Sequence, residues 1–412
     1  MPNDSTPSIP DAQAVRAKVR ASLDYPKGAV DHSQAEPRYV KPPISSLTNL
    51  ARIIGHDPAF FERIGHNVFT DEVTWSGERL TDEMETSINM QIQEAYMLNM
   101  ATERVREVVR VNAKQNPYHP VRDWLHGLMW DGVPRIDTLL STYASADDTP
   151  LHRQISRRWM LSAIARIMEP GCKVDTMLIL VGIQGAMKSS FFAALCHQKE
   201  WFSDTTLDIG DKDAFMALAG VWIYEIGELS ALQGREAEPV KAFLTSRTDR
   251  FRPPYGRNIV HRDRQGVFVG STNASEFLDD PTGARRFWPV RSGAVDLEGV
   301  KRDHVQLWAE AMEVYQTGKE RWWFTAEEEK ELSTTRDEYQ RADSWQEAIV
   351  EWLSGQMGGV TIREVLSEAL HLDLKEQTKA ATMRAAAIVA GTGWRKRRVM
   401  VGAVQSWRWE RA

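Results

Sequence analysis

Residues 182–189 read Gly-Ile-Gln-Gly-Ala-Met-Lys-Ser, which fits the pattern of glycine, four residues, glycine, lysine and serine at every fixed position except Met187. Such a loop lines up backbone N–H groups as an anion nest at a helix N-terminus. Gly182, Gln184, Gly185, Ala186, Met187, Lys188, Ser189 and Ser190 are therefore the candidate nucleotide-binding residues. Lys188 offers a point charge for the β- and γ-phosphates of ATP and is expected to be solvated without them, while the Ser189 hydroxyl can ligate Mg²⁺. Gly182 and Gly185 permit tight turns. Met187 must either hold a positive φ, at about 1–2 kcal/mol, or shift the loop, which bears on hydrolysis more than on binding.

Three further groups fit phosphoryl chemistry. Glu225 and Glu228 follow the apolar run 218–226, and a carboxylate at the end of a strand beside a phosphate loop suits a Mg²⁺-water ligand and a water-activating base. Asn273 ends a second buried run, 266–273, where it could orient the attacking water or contact the γ-phosphate; Ser-Thr-Asn is equally turn chemistry. Arg285 and Arg286 lie on a turn fenced by Phe287, Trp288 and Pro289, as stacked structural arginines or as a phosphate-reading finger.

Residues 247–264 form a basic stretch around Pro-Pro-Tyr-Gly, so Arg250, Arg252, Arg257, His261 and Arg262 are candidate contacts on a hairpin tracking single-stranded DNA, interleaved with Phe251 and Tyr255. A solvated basic hairpin is the plain alternative.

These residues need a scaffold. The apolar run from Met177, the glycine-rich break and the apolar-periodic segment after it spell strand, loop and helix. Before it, residues 44–168 predict a small, mainly helical domain, with strand-like alternation at Phe69, Val73 and Trp75, a cap at Thr81-Asp82-Glu83 and a stop at Asn116-Pro117-Tyr118-His119-Pro120. Residues 1–43, rich in Pro, Ser, Asp and Ala with one weak helical pattern around Ala12 to Leu23, predict a disordered tail. Residues 169–325 make the nucleotide domain. Residues 326–412 make a charged connector helix, three helices and a strand pair turning near Gly402, a winged-helix-like pattern. Arg395, Lys396, Arg397 and Arg398 before that pair could touch DNA phosphates or form a solvated rim.

At 412 residues the chain is long enough for two or three domains, and 42% hydrophobic with 26% charged residues is ordinary globular composition. The net charge of −6 gives no global nucleic-acid signature, so DNA contact must come from local basic clusters. Cys172 and Cys196 are too few and wrongly spaced for a zinc cluster or a disulfide framework, and His119, His126 and His152 lack metal-ligand spacing. Neither a signal peptide nor a membrane-spanning run is present, which points to the cytoplasm.

The chain resembles the virulence-associated protein E family of phage, prophage and genomic-island proteins, whose ATPase looks like the superfamily 3 helicase type. The resemblance rests on NPYHPVRDWLHGLMWDGVPRIDTLL from Asn116, PGCK from Pro170, GIQGAMKS, VWIYEIGEL, DRFRPPYGR from Asp249 and TGARRFWPV from Thr282. It implies an ATPase with Lys188 and Ser189 in the phosphate loop, Glu225 and Glu228 as the acidic pair, Asn273 as sensor and Arg285 or Arg286 as finger. It also implies a homo-oligomeric, hexameric ring serving mobile-element replication in a bacterial host cell. Met187 departs from the glycine usual in the family, and the primase domain that many relatives carry before the helical region is not expected here, nor is priming activity.

The expected architecture is thus an α/β P-loop core of superfamily 3 or AAA-like type between a helical N-terminal domain and a winged-helix-like C-terminal one, working as an ATP-driven DNA motor or helicase with ATP and Mg²⁺. A DNA-binding or assembly module that holds ATP structurally, and a small-molecule kinase, are the competing readings.

Overall fold

The structure, a computed structural model, describes residues 9–32, 37–206, 213–227, 237–252, 258–273, 284–337, 345–401 and 404–411. Its centre is a sheet of five strands: β1 (Met177–Val181), β2 (Phe202–Ser203), β3 (Ile223–Ile226), β4 (Val267–Thr272) and β5 (Phe287–Arg291). Their spatial order is β5-β1-β4-β3-β2, with every neighbour parallel. All of β1 is buried, as a strand covered on both faces must be. The chain leaves β1 for the far edge at β2 and returns to β1's other side at β5. The carboxyl ends around β1 are therefore the topological switch point, where open α/β sheets bind ligands.

Three helices close over the sheet: α1 (Pro150–Met168), α2 (Lys188–Leu195) and α3 (Leu297–Gln316). Thr149 caps α1 by accepting from the His152 N–H, and Pro150 pre-sets its first turn. Tryptophans tie the layers together. Trp222, just before β3, donates its indole N–H to Ala163 O on α1 at 2.9 Å, and Trp308 on α3 donates to Leu195 O at the end of α2 at 2.7 Å. Their rings meet at 4.2 Å between centroids. A buried indole needs such a partner, so these bonds fix helix positions as well as filling volume.

The core corrects the expected boundary at residue 168. Val121, Leu125, Leu139, Leu140, Ile155, Trp159 and Ile164 belong to the same buried cluster as the sheet residues Leu178, Ile223 and Val269. Residues from about 121 onward thus pack into the sheet's own core, because the second half of α1, residues 159–167, is buried on every side and can only be so inside a larger layer. The helix Glu328–Asp337, expected to open the C-terminal domain, also packs here through Leu332 and an Arg158–Glu328 ion pair of 2.5 Å.

The N-terminal part has its own core, around Leu50, Ile53, Ile88, Ile92, Val105 and Val109. Helices Leu47–His56, Asp82–Tyr96 and Thr102–Ala113 supply it, with Thr81 capping the second as its sequence predicts. It is less helical than expected, because Ile64–Asn67, Glu72–Trp75, Glu78–Arg79 and Pro117–Tyr118 form a small sheet. The expected disordered tail carries the helix Ile9–Ser22, whose Val19 is buried against this core together with Leu23; residues 1–8 and 33–36 lie outside the described residues.

The chain divides into two units, Met1–Glu338 and Tyr339–Ala412. The second unit comprises the helix Gln346–Ser354, a helical segment over Ile362–Glu364 and Val365–Ala369, the helix Lys379–Gly391, and an antiparallel ribbon of Trp394–Val401 with Val404–Arg411. Its core is Ile349, Leu353, Val365, Leu366, Ala385, Val389 and Trp394. Among the described residues no helix is long and apolar enough to cross a membrane.

Candidate nucleotide site

The backbone leaves β1 at Gly182, whose N–H donates to Thr272 O at 3.1 Å. A side chain at 182 is impossible without movement: a Cβ there would lie 2.6 Å from Ser292 O, just past β5. Gly182, Asn273 and Ser292 therefore converge because β1, β4 and β5 end at the same level. Ile183, Gln184, Gly185 and Ser190 are exposed and Ala186 is buried. Gly185 takes φ 82°, where glycine has no steric penalty.

Met187 settles one of the open alternatives. It adopts φ 59° and ψ 30°, the left-handed conformation that the usual glycine would supply, with its side chain 54% exposed. Met187 thus carries the conformational cost, and α2 starts at Lys188 without a side-chain cap.

Lys188 is buried rather than solvated, contrary to expectation. Its ammonium donates to Gly182 O at 2.9 Å, Ile183 O at 2.8 Å and Asn273 Oδ1 at 2.9 Å. Three acceptors satisfy its three N–H bonds, which is how a buried ammonium is tolerated. Burial lowers its pKa and the Glu225 carboxylate opposes that shift.

Glu225 is 1% exposed on β3. The Ser189 hydroxyl donates to its Oε1 at 2.9 Å, and Oε2 is buried without a hydrogen-bond partner. Burial raises the carboxyl pKa above the ordinary glutamate value, while the Ser271 and Ser189 hydroxyls and the Lys188 charge pull it back. A serine hydroxyl bonded to a carboxylate with a spare oxygen is an all-oxygen donor set suited to Mg²⁺, which takes few protein ligands and keeps waters. Glu228 lies outside the described residues.

Arg285 and Arg286 are not brought to this loop. They form the short 3₁₀ turn Ala284–Arg286 at the start of β5, where Phe287 pairs with Met177 at the beginning of β1. Five residues at about 3.3 Å each, roughly 16 Å, separate that end of the sheet from the loop. Arg285 is exposed and Arg286 half-buried, with its Nε lacking a partner. They line a cavity of about 460 Å³ with Lys173, Trp322 and Trp323.

The basic stretch is a hairpin, Thr248–Phe251 paired with Val260–Asp263. Its pleat divides the candidates. Arg250 pairs with His261 on the exposed face, and Arg252 is exposed beyond the strand. Arg262, on the inner face, instead stacks over Phe251 at 5.4 Å and reaches Asp71 at 3.4 Å, anchoring the hairpin to the N-terminal part. Arg264 is buried in a bidentate pair with Asp249, its Nη2 2.7 Å from Oδ1. Arg257 lies outside the described residues.

Sequence reasoning missed Ser271 and Ser292, both set beside the site by register alone. Ser271 precedes Asn273 by the two-residue strand period, which is a usable signal; nothing local marks Ser292. His119 is a structural histidine: its Nδ1 caps Arg122 N at 3.2 Å and its Nε2 lies 2.7 Å from Gln265 Oε1. Among the described residues no His, Cys, Asp and Glu grouping could hold a metal on its own.

Fold and site together define an α/β protein with a parallel sheet and a phosphate-loop motif at the switch point. A family model described as the virulence-associated protein E-like domain matches residues 125–341, more than half of the chain. The chain belongs to that family. No curated protein matches it. Among solved structures, the A form apo structure of the NrS-1 C-terminal region is similar at 12% identity and a TM-score of 0.48, over 84% of this chain and 96% of that one. A mutant of Thermotoga maritima RuvB is similar at 13% identity and a TM-score of 0.22, over 60% of this chain and 89% of that one.

Proposed function

We propose that this chain is an ATP-driven DNA motor, a helicase of the superfamily 3 type, acting in replication of a phage or other mobile element within a bacterial cytoplasm. The observation that carries the reading is the convergence of Lys188, Ser189, Glu225 and Asn273 at the carboxyl ends of β1, β3 and β4. Loop N–H groups and Lys188 would hold the ATP phosphates. Ser189 and Glu225 would hold Mg²⁺, whose charge neutralises the developing negative charge on the phosphates. The spare oxygen of Glu225, with its raised pKa, suits a group that orients water and accepts its proton. Asn273 would position Lys188 and the attacking water.

Arg285 and Arg286 lie too far from their own loop to serve it, so in this reading they complete a neighbouring subunit's site in a homo-oligomer, a hexameric ring by family resemblance. The exposed Arg250, Arg252 and His261 would contact single-stranded DNA, and the winged-helix-like C-terminal unit would add a further nucleic-acid contact. An ATP-binding module without turnover is less well supported, because Met187 holds the backbone shape that a hydrolysing loop requires. The test is phosphate release by purified protein with and without single-stranded DNA, followed by strand displacement. DNA-stimulated turnover is expected, and ATP binding with no turnover would overturn the reading.

A further inference from the structure

The C-terminal ribbon has a pleat whose two ends differ. Trp394, Lys396 and Arg398 share one face by the two-residue period, opposite Arg411, Trp409 and Trp407. At the near end Trp394 is buried in the unit's core and Trp409 packs against it. Farther out on the same face Trp407 is 53% exposed, an unusual place for a side chain of that size. Its ring is flanked by two cations: Lys396 Nζ at 5.2 Å from the centroid and Arg398 Cζ at 5.5 Å.

The charge around this ring is one-sided. The ribbon carries six basic residues against one acid, Glu410, in a chain whose net charge is −6. Arg397 approaches Glu410 at 3.9 Å and Arg408 approaches Glu364 at 3.5 Å. Among the described residues no carboxylate pairs with Lys396 or Arg398. A core contact does not need two unpaired cations beside an exposed indole, and a solvated basic rim does not need the indole. An unpaired base with its phosphates uses both, stacking on the ring while the cations take the backbone.

We infer that Trp407, Lys396 and Arg398 form a single-stranded nucleic-acid binding surface, separate from the hairpin at 248–263. The inference deepens the DNA-acting reading and rests on it only for the identity of the polymer. The experiment uses the full chain without nucleotide, so that its outcome is independent of turnover. Binding of fluorescent oligothymidylate and of a matched duplex is followed by anisotropy across a salt series for the parent, Trp407→Ala, Trp407→Phe and Lys396→Ala/Arg398→Ala.

Trp407→Ala should weaken single-strand binding roughly 5- to 150-fold, the range for losing one stacked base, with Trp407→Phe restoring most of it. Lys396→Ala/Arg398→Ala should reduce the salt slope by roughly 1–2. Both sites are exposed, so the variants should melt as the parent does. Parent-like binding by every variant overturns the inference, as does equal loss on the duplex with no effect of Trp407→Ala, which would make the ribbon a phosphate contact only. If the variants behave as expected and the parent never hydrolyses ATP, the motor reading fails and the surface stands.

Discussion

Lys188 Nζ and Asn273 Oδ1 are joined by a 2.9 Å hydrogen bond that links the helix after β1 to the end of β4. The bond makes Asn273 a positioning group for the lysine as well as a candidate water ligand. Asn273→Ala leaves Lys188 with two backbone acceptors and free to swing, so kcat should fall roughly 10²-fold with a smaller change in KM. Lys188→Ala should remove measurable turnover and tight MgATP binding together. Steady-state kinetics and nucleotide titration separate the two; equal losses of ATP affinity would make Asn273 a simple phosphate ligand.

Glu225→Gln separates binding from chemistry. ATP affinity should persist while kcat drops roughly 10²–10⁴-fold, the range for removing a general base. The same change should stabilise the nucleotide-free protein by on the order of 1 kcal/mol, because it removes a buried charge. The pH dependence has a definite sign. A carboxyl raised in the folded state binds more protons there than in the unfolded chain, so its contribution is full at low pH and is lost as pH rises through the raised value. Melting followed upward in pH from the ordinary glutamate range should show this decline in the parent and lose it in Glu225→Gln.

How much of this was legible in the sequence follows from distance along the chain. The loop, its helix, β1, β3 and β4 are local patterns of apolar runs and glycines, and the structure has them all. Lys188's burial was not legible, because it depends on Asn273, 85 residues away, and on how two strand ends align. Arg262 and Arg250 look equivalent within one basic run. Only the pleat and Asp71, 191 residues distant, make one an anchor and leave the other exposed. Residues 121–168 read as helical whichever layer they join, and their membership of the sheet's core is decided by tertiary packing through Trp159, Trp222 and Trp308.

Met187→Gly tests whether strain in the loop limits ATP turnover. The substitution relieves a left-handed backbone costing about 1–2 kcal/mol but adds glycine's greater unfolded-state freedom, about 0.5–1 kcal/mol. Net stability should therefore move little. Turnover should rise, since the loop would reach its phosphate-binding shape without strain. Unchanged kcat, with Tm held, would show that the loop already accommodates methionine.

The hairpin makes a prediction with an internal contrast. Arg250→Ala/Arg252→Ala removes exposed charge, so the salt slope of DNA binding should flatten by roughly 1–2 with Tm unchanged, and DNA should stimulate ATPase less. Arg262→Ala removes the contacts to Phe251 and Asp71 instead. It should lower Tm by a few degrees, for a loss of about 1 kcal/mol, while the slope changes less. Identical behaviour of the two variants would mean that the hairpin's faces are not divided as its pleat indicates.

Arg285 and Arg286 decide whether the active species is shared between subunits. They sit at the start of β5, beside Met177, while the phosphate loop begins after Val181 at the opposite end of the same paired strands. Neither side chain can span roughly 16 Å of strand, so a catalytic role requires another copy's loop. A guanidinium delivered in trans can be worth roughly 10³–10⁵ in rate. Lys188→Ala and Arg285→Ala/Arg286→Ala proteins should each be inactive alone, the first lacking an intact loop and the second an intact finger. Mixed, some interfaces would pair an intact loop with an intact finger, and ATPase should partly recover, peaking near equal proportions. Zero activity in mixtures shown to co-assemble would return the pair to a structural role against Trp322 and Trp323, whereas full activity of Arg285→Ala/Arg286→Ala alone would remove it from the reaction altogether.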